Sequence, residues 1–149
     1  EKPLNKLGPD PFNKSFEISY FKKFIRNKKI NIKNLIMDQK FVSGIGNIYA
    51  NEILFYSYLN PLKIVSKLNN KNIIDIIKNS RIVLKKAILY GGSSIKNFRK
   101  INGHKGNFQQ VFKVYGRQEK SCRRAYCSGI LKKILISNRA SFFCSNCQK

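Results

Sequence analysis

The sequence predicts a mainly α-helical fold that ends in a small β ribbon. Three observations carry this expectation. Apolar residues recur at helical spacing through residues 15–90, glycine, proline and asparagine clusters interrupt them at intervals, and four cysteines crowd into residues 122–149. A chain of 149 residues holds one ordinary domain or two small ones, and a hydrophobic content of 42% suffices for a packed core. No stretch approaches the ~20 apolar residues needed to span a bilayer, and no repeat of solenoid length is present.

Taken in order, residues 1–14 contain Pro3, Gly8, Pro9 and Pro11 and read as an extended linker. Ser15 is expected to cap a helix over 15–26, in which Phe16, Tyr20 and Phe24, with Phe21 beside them, face the core and Lys22, Lys23 and Arg26 face solvent. After the basic loop Asn27-Lys28-Lys29, a second helix is expected from Ile32 to Phe41. The turn Ser43-Gly44-Ile45-Gly46-Asn47 then precedes a third helix, Ile48 to Tyr58, stopped by Asn60-Pro61. A long helix from about Asn72 to Tyr90 carries Ile73, Ile76, Ile77, Leu84 and Ile88 on one stripe and ends at Gly91-Gly92. Residues 93–110 are rich in Ser, Asn and Gly with few apolar anchors, as in a flexible functional loop, and Val111 to Tyr115 reads as a strand leading into the ribbon.

The cysteines form two pairs, Cys122-x4-Cys127 and Cys144-x2-Cys147. Two short knuckles brought together by a hairpin supply four thiolates to one tetrahedral ion, and Ile130 to Ile136, Ser137-Asn138-Arg139 and Ala140 to Phe143 have the pattern of that hairpin. One Zn²⁺ per chain is expected. A strand pair this short has little apolar area of its own, so metal binding at about 10–16 kcal/mol would be its main source of stability. The competing reading is two disulfides. It is disfavoured by the absence of a visible export segment and by the clustering of all four cysteines in one small unit.

The balance of 30 Lys and Arg against 7 Asp and Glu gives a formal charge of +23, so a polyanion is the expected partner and nucleic acid the first candidate. Lys, Asn and Ile dominate throughout, and part of this charge is ordinary surface lysine. The turn Gly44-Ile45-Gly46-Asn47 is a second chemical signal. Its glycines permit close backbone approach, and the helix start beyond it offers free N–H groups to a phosphate. By itself it reads equally well as a helix–helix turn with Asn47 as a local cap.

Six segments in order, Leu7-Gly8-Pro9-Asp10-Pro11, Met37-Asp38-Gln39-Lys40, Gly44 through Glu52, Gly91-Gly92-Ser93-Ser94, Val114-Tyr115-Gly116-Arg117 and Phe143 through Lys149, resemble the C-terminal half of bacterial formamidopyrimidine-DNA glycosylase. The resemblance implies a helix–two-turn–helix bundle over 15–92, a lesion-recognition loop over 93–110 and a four-cysteine zinc-finger hairpin over 111–149. It implies a base-excision-repair enzyme that removes oxidised purines (8-oxoguanine, formamidopyrimidine) and then cleaves the abasic site by β,δ-elimination. By the same resemblance Asn47 holds a backbone phosphate, Arg139 contacts phosphate and assists δ-elimination, and Lys28, Lys29 and Lys33 match basic positions that meet DNA. Asn97 to Phe108 match the loop that closes over a flipped base, which must leave the stack before its glycosidic carbon is accessible. For Lys28, Lys29 and Arg139 the plainer alternative is a solvated surface charge, and His104 reads as an exposed side chain.

Two departures qualify the resemblance. The family separates its first cysteine pair by two residues, whereas four lie between Cys122 and Cys127. The family also attacks with the free amine of an N-terminal proline followed by a glutamate, on a β-rich domain, whereas this sequence begins Glu1-Lys2-Pro3 and ties the Pro3 nitrogen into a peptide bond. The expectation is a chain that grips double-stranded damaged DNA without excising bases, a monomer whose catalytic half lies on a separate or missing segment, located in the bacterial cytoplasm with the nucleoid. A lysine nucleophile at Lys40 beside Asp38 is a lesser candidate, since such pairs are ordinarily surface ion pairs. The alternative function is a non-catalytic zinc-ribbon module for nucleic acid, RNA included.

Overall fold

The computed structural model describes residues 6–89 and 112–149. Among these residues four α-helices are followed by one hairpin: α1 (Ile18–Ile25), α2 (Ile32–Ile36), α3 (Asn47–Tyr56), α4 (Asn70–Leu89), β1 (Leu131–Ile136) and β2 (Arg139–Cys144), with a 3₁₀ turn at Val65–Lys67. The expected loop at 93–110, with Asn97 to Phe108 and His104, lies outside the described residues.

Helix α3 is the centre of the molecule. It is buried on nearly every face from Tyr49 to Phe55, and it packs against α2, α4 and β2. Because Asn51 and Glu52 are buried along with their apolar neighbours, their polar atoms must find partners inside the protein. Those partners are in the ribbon and the segment that leads into it.

Around α3 the larger core gathers Phe16, Phe21, Leu35, Phe41, Ile53 and Ile76. Phe41 is an aromatic hub: its ring stacks on Tyr20 at 5.7 Å and meets Phe16, Phe21 and Phe24 at centroid distances of 5.6, 4.9 and 4.9 Å. A smaller cluster of Phe55, Val114, Cys122, Leu131, Phe142 and Cys144 seals the ribbon onto the end of α3.

Several local expectations are corrected. Ser15 does not cap α1; its N–H and hydroxyl both bond the Asn13 side chain, and the helix starts at Ile18 with Glu17 at the N-cap. Helix α2 stops at Ile36 because Asp38 closes a turn, its carboxylate accepting the Lys40 N–H and its carbonyl accepting those of Phe41 and Val42. That carboxylate makes no ion pair with the Lys40 ammonium; among the described residues the one ion pair is Lys71–Asp75. A second turn follows at once, with Gly44 at φ +96°, where a side chain would be strained. Two successive turns thus join α2 to α3. Helix α4 begins at Asn70, two residues early, through a reciprocal cap in which Asn69 and Asn72 each accept the other's N–H. Ile88, placed on its core stripe from the sequence, is 66% exposed, and Val83 and Ala87 extend the buried face instead.

The expected strand before the ribbon is not one over Phe112–Tyr115, because the N–H groups of Lys113, Val114 and Tyr115 point at the Glu52 carboxylate rather than at a neighbouring strand. In the hairpin, Leu131 pairs with Cys144 and Ile136 with Arg139. The connection is the two-residue turn Ser137-Asn138, with φ of 50° and 63° as a type I′ turn requires, so Arg139 is the first residue of β2 rather than part of the turn. No helix among the described residues is long and apolar enough to cross a membrane.

Candidate nucleic-acid interface and metal centre

The hairpin folds its two ends against the two ends of α3, and each end builds a site. At the open end, the Sγ atoms of Cys122, Cys127, Cys144 and Cys147 all lie within 4.8 Å of one another, with Cys122–Cys147 at 3.8 Å and Cys127–Cys144 at 3.6 Å. Four thiolates each ~2.3 Å from one ion form a tetrahedron with edges of ~3.8 Å, so the spacing fits a shared metal. It does not fit disulfides, whose sulfurs sit at about 2.05 Å.

The environment of the thiols also suits a cation. The Asn146 amide donates to Cys127 Sγ at 3.2 Å, and with the Gly129 N–H it lowers that thiol to about 6. Burial pushes Cys122 up to about 12, so its deprotonation calls for positive charge in the cage. Gly129 is required by space: a Cβ there would stand 2.4 Å from Cys144 Sγ. The four-residue first knuckle is accommodated by a turn in which the Cys127 N–H bonds the Arg124 carbonyl and Tyr126, at φ 64°, projects fully into solvent. The longer spacing therefore leaves the four sulfurs together.

At the turn end of the hairpin, the Ala140 carbonyl receives three donors from the helical body: Lys33 Nζ at 3.1 Å, Asn47 Nδ2 at 3.1 Å and Asn51 Nδ2 at 3.3 Å. Asn51 Oδ1 accepts the Phe142 N–H at 2.7 Å, which sets the register of β2 on α3. Asn47 opens α3 directly after Gly46, and its Oδ1 is buried without a partner among the described residues. Arg139, next to this carbonyl, is exposed.

Lys33 is different in kind from the other cations expected to meet DNA. It is 1% exposed, and its ammonium is spent inside the protein on Ala140 and on Ser141 Oγ. Burial first, and the charge of Arg139 second, lower its pKa to about 8. Lys33 therefore holds the hairpin and adds positive potential beside Arg139. Lys28 and Lys29 are exposed in the α1–α2 loop; Lys28 lies over the Phe24 ring at 5.0 Å, and neither bonds the group around Ala140.

Three residues join the hairpin and its flanks to the helical body with no role predicted for them, although Glu52 and Gln148 lie within the resembling segments. Glu52 accepts the N–H groups of Lys113 at 2.7 Å and of Val114 and Tyr115 at 2.9 Å, anchoring the entry to the ribbon. Burial pushes this carboxyl up, against the three N–H groups that favour its charge. Gln148 bonds the Leu59 carbonyl and accepts the Cys144 N–H, tying the chain end to the loop after α3. Arg124 lies between the metal cage and the end of α3. An acidic residue within a mostly apolar helix, in a chain with 7 acidic residues, was a readable signal for Glu52.

The fold and the two sites define a class: a helix–two-turn–helix body closed by a four-cysteine hairpin. Residues 7–99 match the family model described as the formamidopyrimidine-DNA glycosylase H2TH domain. The chain belongs to that family. Formamidopyrimidine-DNA glycosylase of Ruegeria sp. (strain TM1040) is 38% identical over 148 residues, covering 99% of this chain and 52% of the relative. That of Histophilus somni (strain 2336) is 42% identical over 144 residues, covering 97% and 53%. Among solved structures, MutM (Fpg) of Thermus thermophilus superposes with a TM-score of 0.81 at 32% identity, covering 97% of this chain and 55% of that one. The Lactococcus lactis Fpg complex with DNA containing FAPY-dG gives 0.83 at 30%, covering 99% and 53%. The chain spans about half the length of the curated relatives it matches.

Proposed function

We propose that this chain is the DNA-gripping part of a base-excision-repair glycosylase and abasic-site lyase acting on oxidised purines, with one Zn²⁺ held by Cys122, Cys127, Cys144 and Cys147. The observation that carries the reading is the convergence of Lys33, Asn47 and Asn51 on the Ala140 carbonyl beside the exposed Arg139. Asn47, at a helix start, thus bonds the residue that follows Arg139, and its amide keeps a second N–H beyond the one given to Ala140, an arrangement suited to neighbouring phosphates on one strand. The Lactococcus lactis relatives are seen with DNA containing an AP site and with DNA containing FAPY-dG, which supports damaged DNA as the partner here.

In this reading the helical body (15–92) and the finger (111–149) clamp the duplex together. Asn47 and Arg139 bind phosphate, Lys28 and Lys29 add cations along the backbone, and Arg139 assists elimination when a catalytic half is present. The bound zinc supplies no reaction chemistry; it fixes the hairpin so that its residues stay in place. In this reading excision falls to a catalytic half, since the Pro3 nitrogen is an amide and cannot itself form an iminium with the abasic sugar. A bacterial cytoplasmic location with the nucleoid follows from the proposed substrate.

The test combines binding with trapping. The zinc-loaded chain should shift a duplex containing an abasic-site analogue and should leave no borohydride-trapped adduct on a cleavable abasic site. A trapped adduct would overturn the assignment of the chemistry to another segment. Preference for single-stranded or A-form RNA over the duplex would overturn the DNA reading in favour of a general nucleic-acid ribbon.

A further inference from the structure

Arg124 occupies the first cysteine knuckle, yet most of its side-chain contacts are with the helical body. Its backbone N–H donates to Cys122 Sγ at 3.5 Å and its Nε to Cys147 Sγ at 3.4 Å. The same guanidinium donates through Nη2 to the Phe55 carbonyl. Its central carbon lies 3.9 Å from the Phe55 ring centroid and 3.7 Å from that of Tyr58, so the plane is held between two aromatic faces.

Each contact has a physical reason. The Phe55 carbonyl, in the last turn of α3, already accepts the Tyr58 N–H at 3.1 Å, and its second lone pair faces out at the negative end of the helix dipole, where a cation is favoured. The planar guanidinium stacks on rings and keeps in-plane donors for a sulfur and a carbonyl at once, which an ammonium cannot do. Tyr58 holds a left-handed φ of 60°, uncommon for a large side chain, and its ring forms the outer wall of the sandwich. Its carbonyl is tied down by the Lys149 N–H.

Helix α3 makes this joint more than local. It is 10 residues long, about 15 Å, with Asn47 at one end and Phe55 in its last turn. The hairpin is pinned to the first half of α3 by Ala140 and Phe142, and the knuckle that precedes the hairpin is pinned to the last turn by Arg124. We infer that Arg124 is the positioning residue that links the four-thiolate site to the phosphate-binding end of the chain, making metal retention and duplex binding reciprocally dependent. The inference rests on the zinc and DNA readings of the proposed function. Linkage requires that if the metal strengthens duplex binding, the duplex strengthens metal retention by the same factor.

The test measures zinc extraction by a chromogenic chelator from the full chain, with and without an abasic-analogue duplex. Read at equilibrium, duplex should make the parent hold zinc more tightly against the chelator. In Arg124→Ala, zinc affinity of the free chain should be ~10–100-fold weaker, the usual range for losing an outer-shell partner of a metal ligand, and duplex should no longer strengthen it. Arg124→Lys should behave like Arg124→Ala, since charge without the planar stack does not make the joint. Co²⁺ substitution reports the cage directly: the thiolate charge-transfer band should persist in both variants. Should Arg124→Ala fail to assemble the cage, Tyr58→Ala, which removes the half-exposed outer ring alone, takes its place with the same expected loss of duplex protection. Unchanged zinc affinity and intact duplex protection in the variants would overturn the inference. A parent chain that takes up no metal would instead overturn the zinc reading, and one that binds metal but no duplex would overturn the DNA reading.

Discussion

A single carboxylate anchors the entry to the ribbon, and Glu52→Gln tests that anchor with almost no change of shape. Oε1 accepts the Lys113 N–H, while Oε2 accepts those of Val114 and Tyr115. The amide replaces one oxygen by a donor. In its better orientation it faces Lys113 alone, leaving one buried N–H unmade at a cost of about 1–3 kcal/mol. The remaining two bonds lose their charge assistance, which is roughly half their strength. Relief of burying a carboxylate offsets part of this, as the upward push on its pKa shows. The balance is a loss of about 2–4 kcal/mol, or roughly 5–15 °C in Tm for a chain of this size. Urea unfolding of the zinc-loaded protein, followed by circular dichroism and tyrosine fluorescence, measures the loss, and amide exchange at residues 113–115 localises it. A variant as stable as the parent, with those amides equally protected, would refute the claim that Glu52 ties the helical body to the ribbon.

Other perturbations address separate parts of the structure. Lys33 has its pKa lowered from 10.5 to about 8, so between those values the unfolded chain binds more protons than the folded one. Below about 8 the full cost of burying the charge is present, and stability rises with pH through this window; Lys33→Met should remove that rise, read as the difference in urea midpoints at its two ends. Gly129→Ala would drive a methyl to 2.4 Å from Cys144 Sγ and should weaken metal binding by about 1–3 kcal/mol in a competition titration. Phe41→Ala empties the aromatic hub and should cost about 3–5 kcal/mol of unfolding free energy while leaving the Co²⁺ charge-transfer band intact. Loss of that band would mean the body and the cage are not separable in this way.

The sequence made the broad architecture legible because its strongest signals are local. The cysteine knuckles, the two β-prone runs around a polar turn and the stripe of Ile73, Ile76 and Ile77 each depend on neighbours in the chain, and each reappears in the structure. Errors gathered where long-range partners decide, or where a close neighbour competes for the same group. Ser15 has the look of a cap, but Asn13 takes its hydroxyl; Phe112–Tyr115 has the look of a strand, but Glu52, some sixty positions earlier, claims three of its donors. Of the candidate interface, Asn47 was readable as a residue at a helix start and Arg139 through the resemblance alone; the structure puts the first at the start of α3 with its Oδ1 buried and the second exposed at the start of β2. The burial of Lys33 was not readable, since nothing near it in sequence announces the Ala140 carbonyl and Ser141 hydroxyl that receive its ammonium.

Duplex affinity of the zinc-loaded chain across a salt series, compared with Arg139→Ala, is the measurement that bears most directly on the proposed grip. A phosphate clamp predicts that log K falls steeply with log salt concentration, and that removing this guanidinium weakens binding at every sequence and lowers the slope by about one. A slope near zero in the parent, or an Arg139→Ala chain with the same affinity and slope, would contradict it.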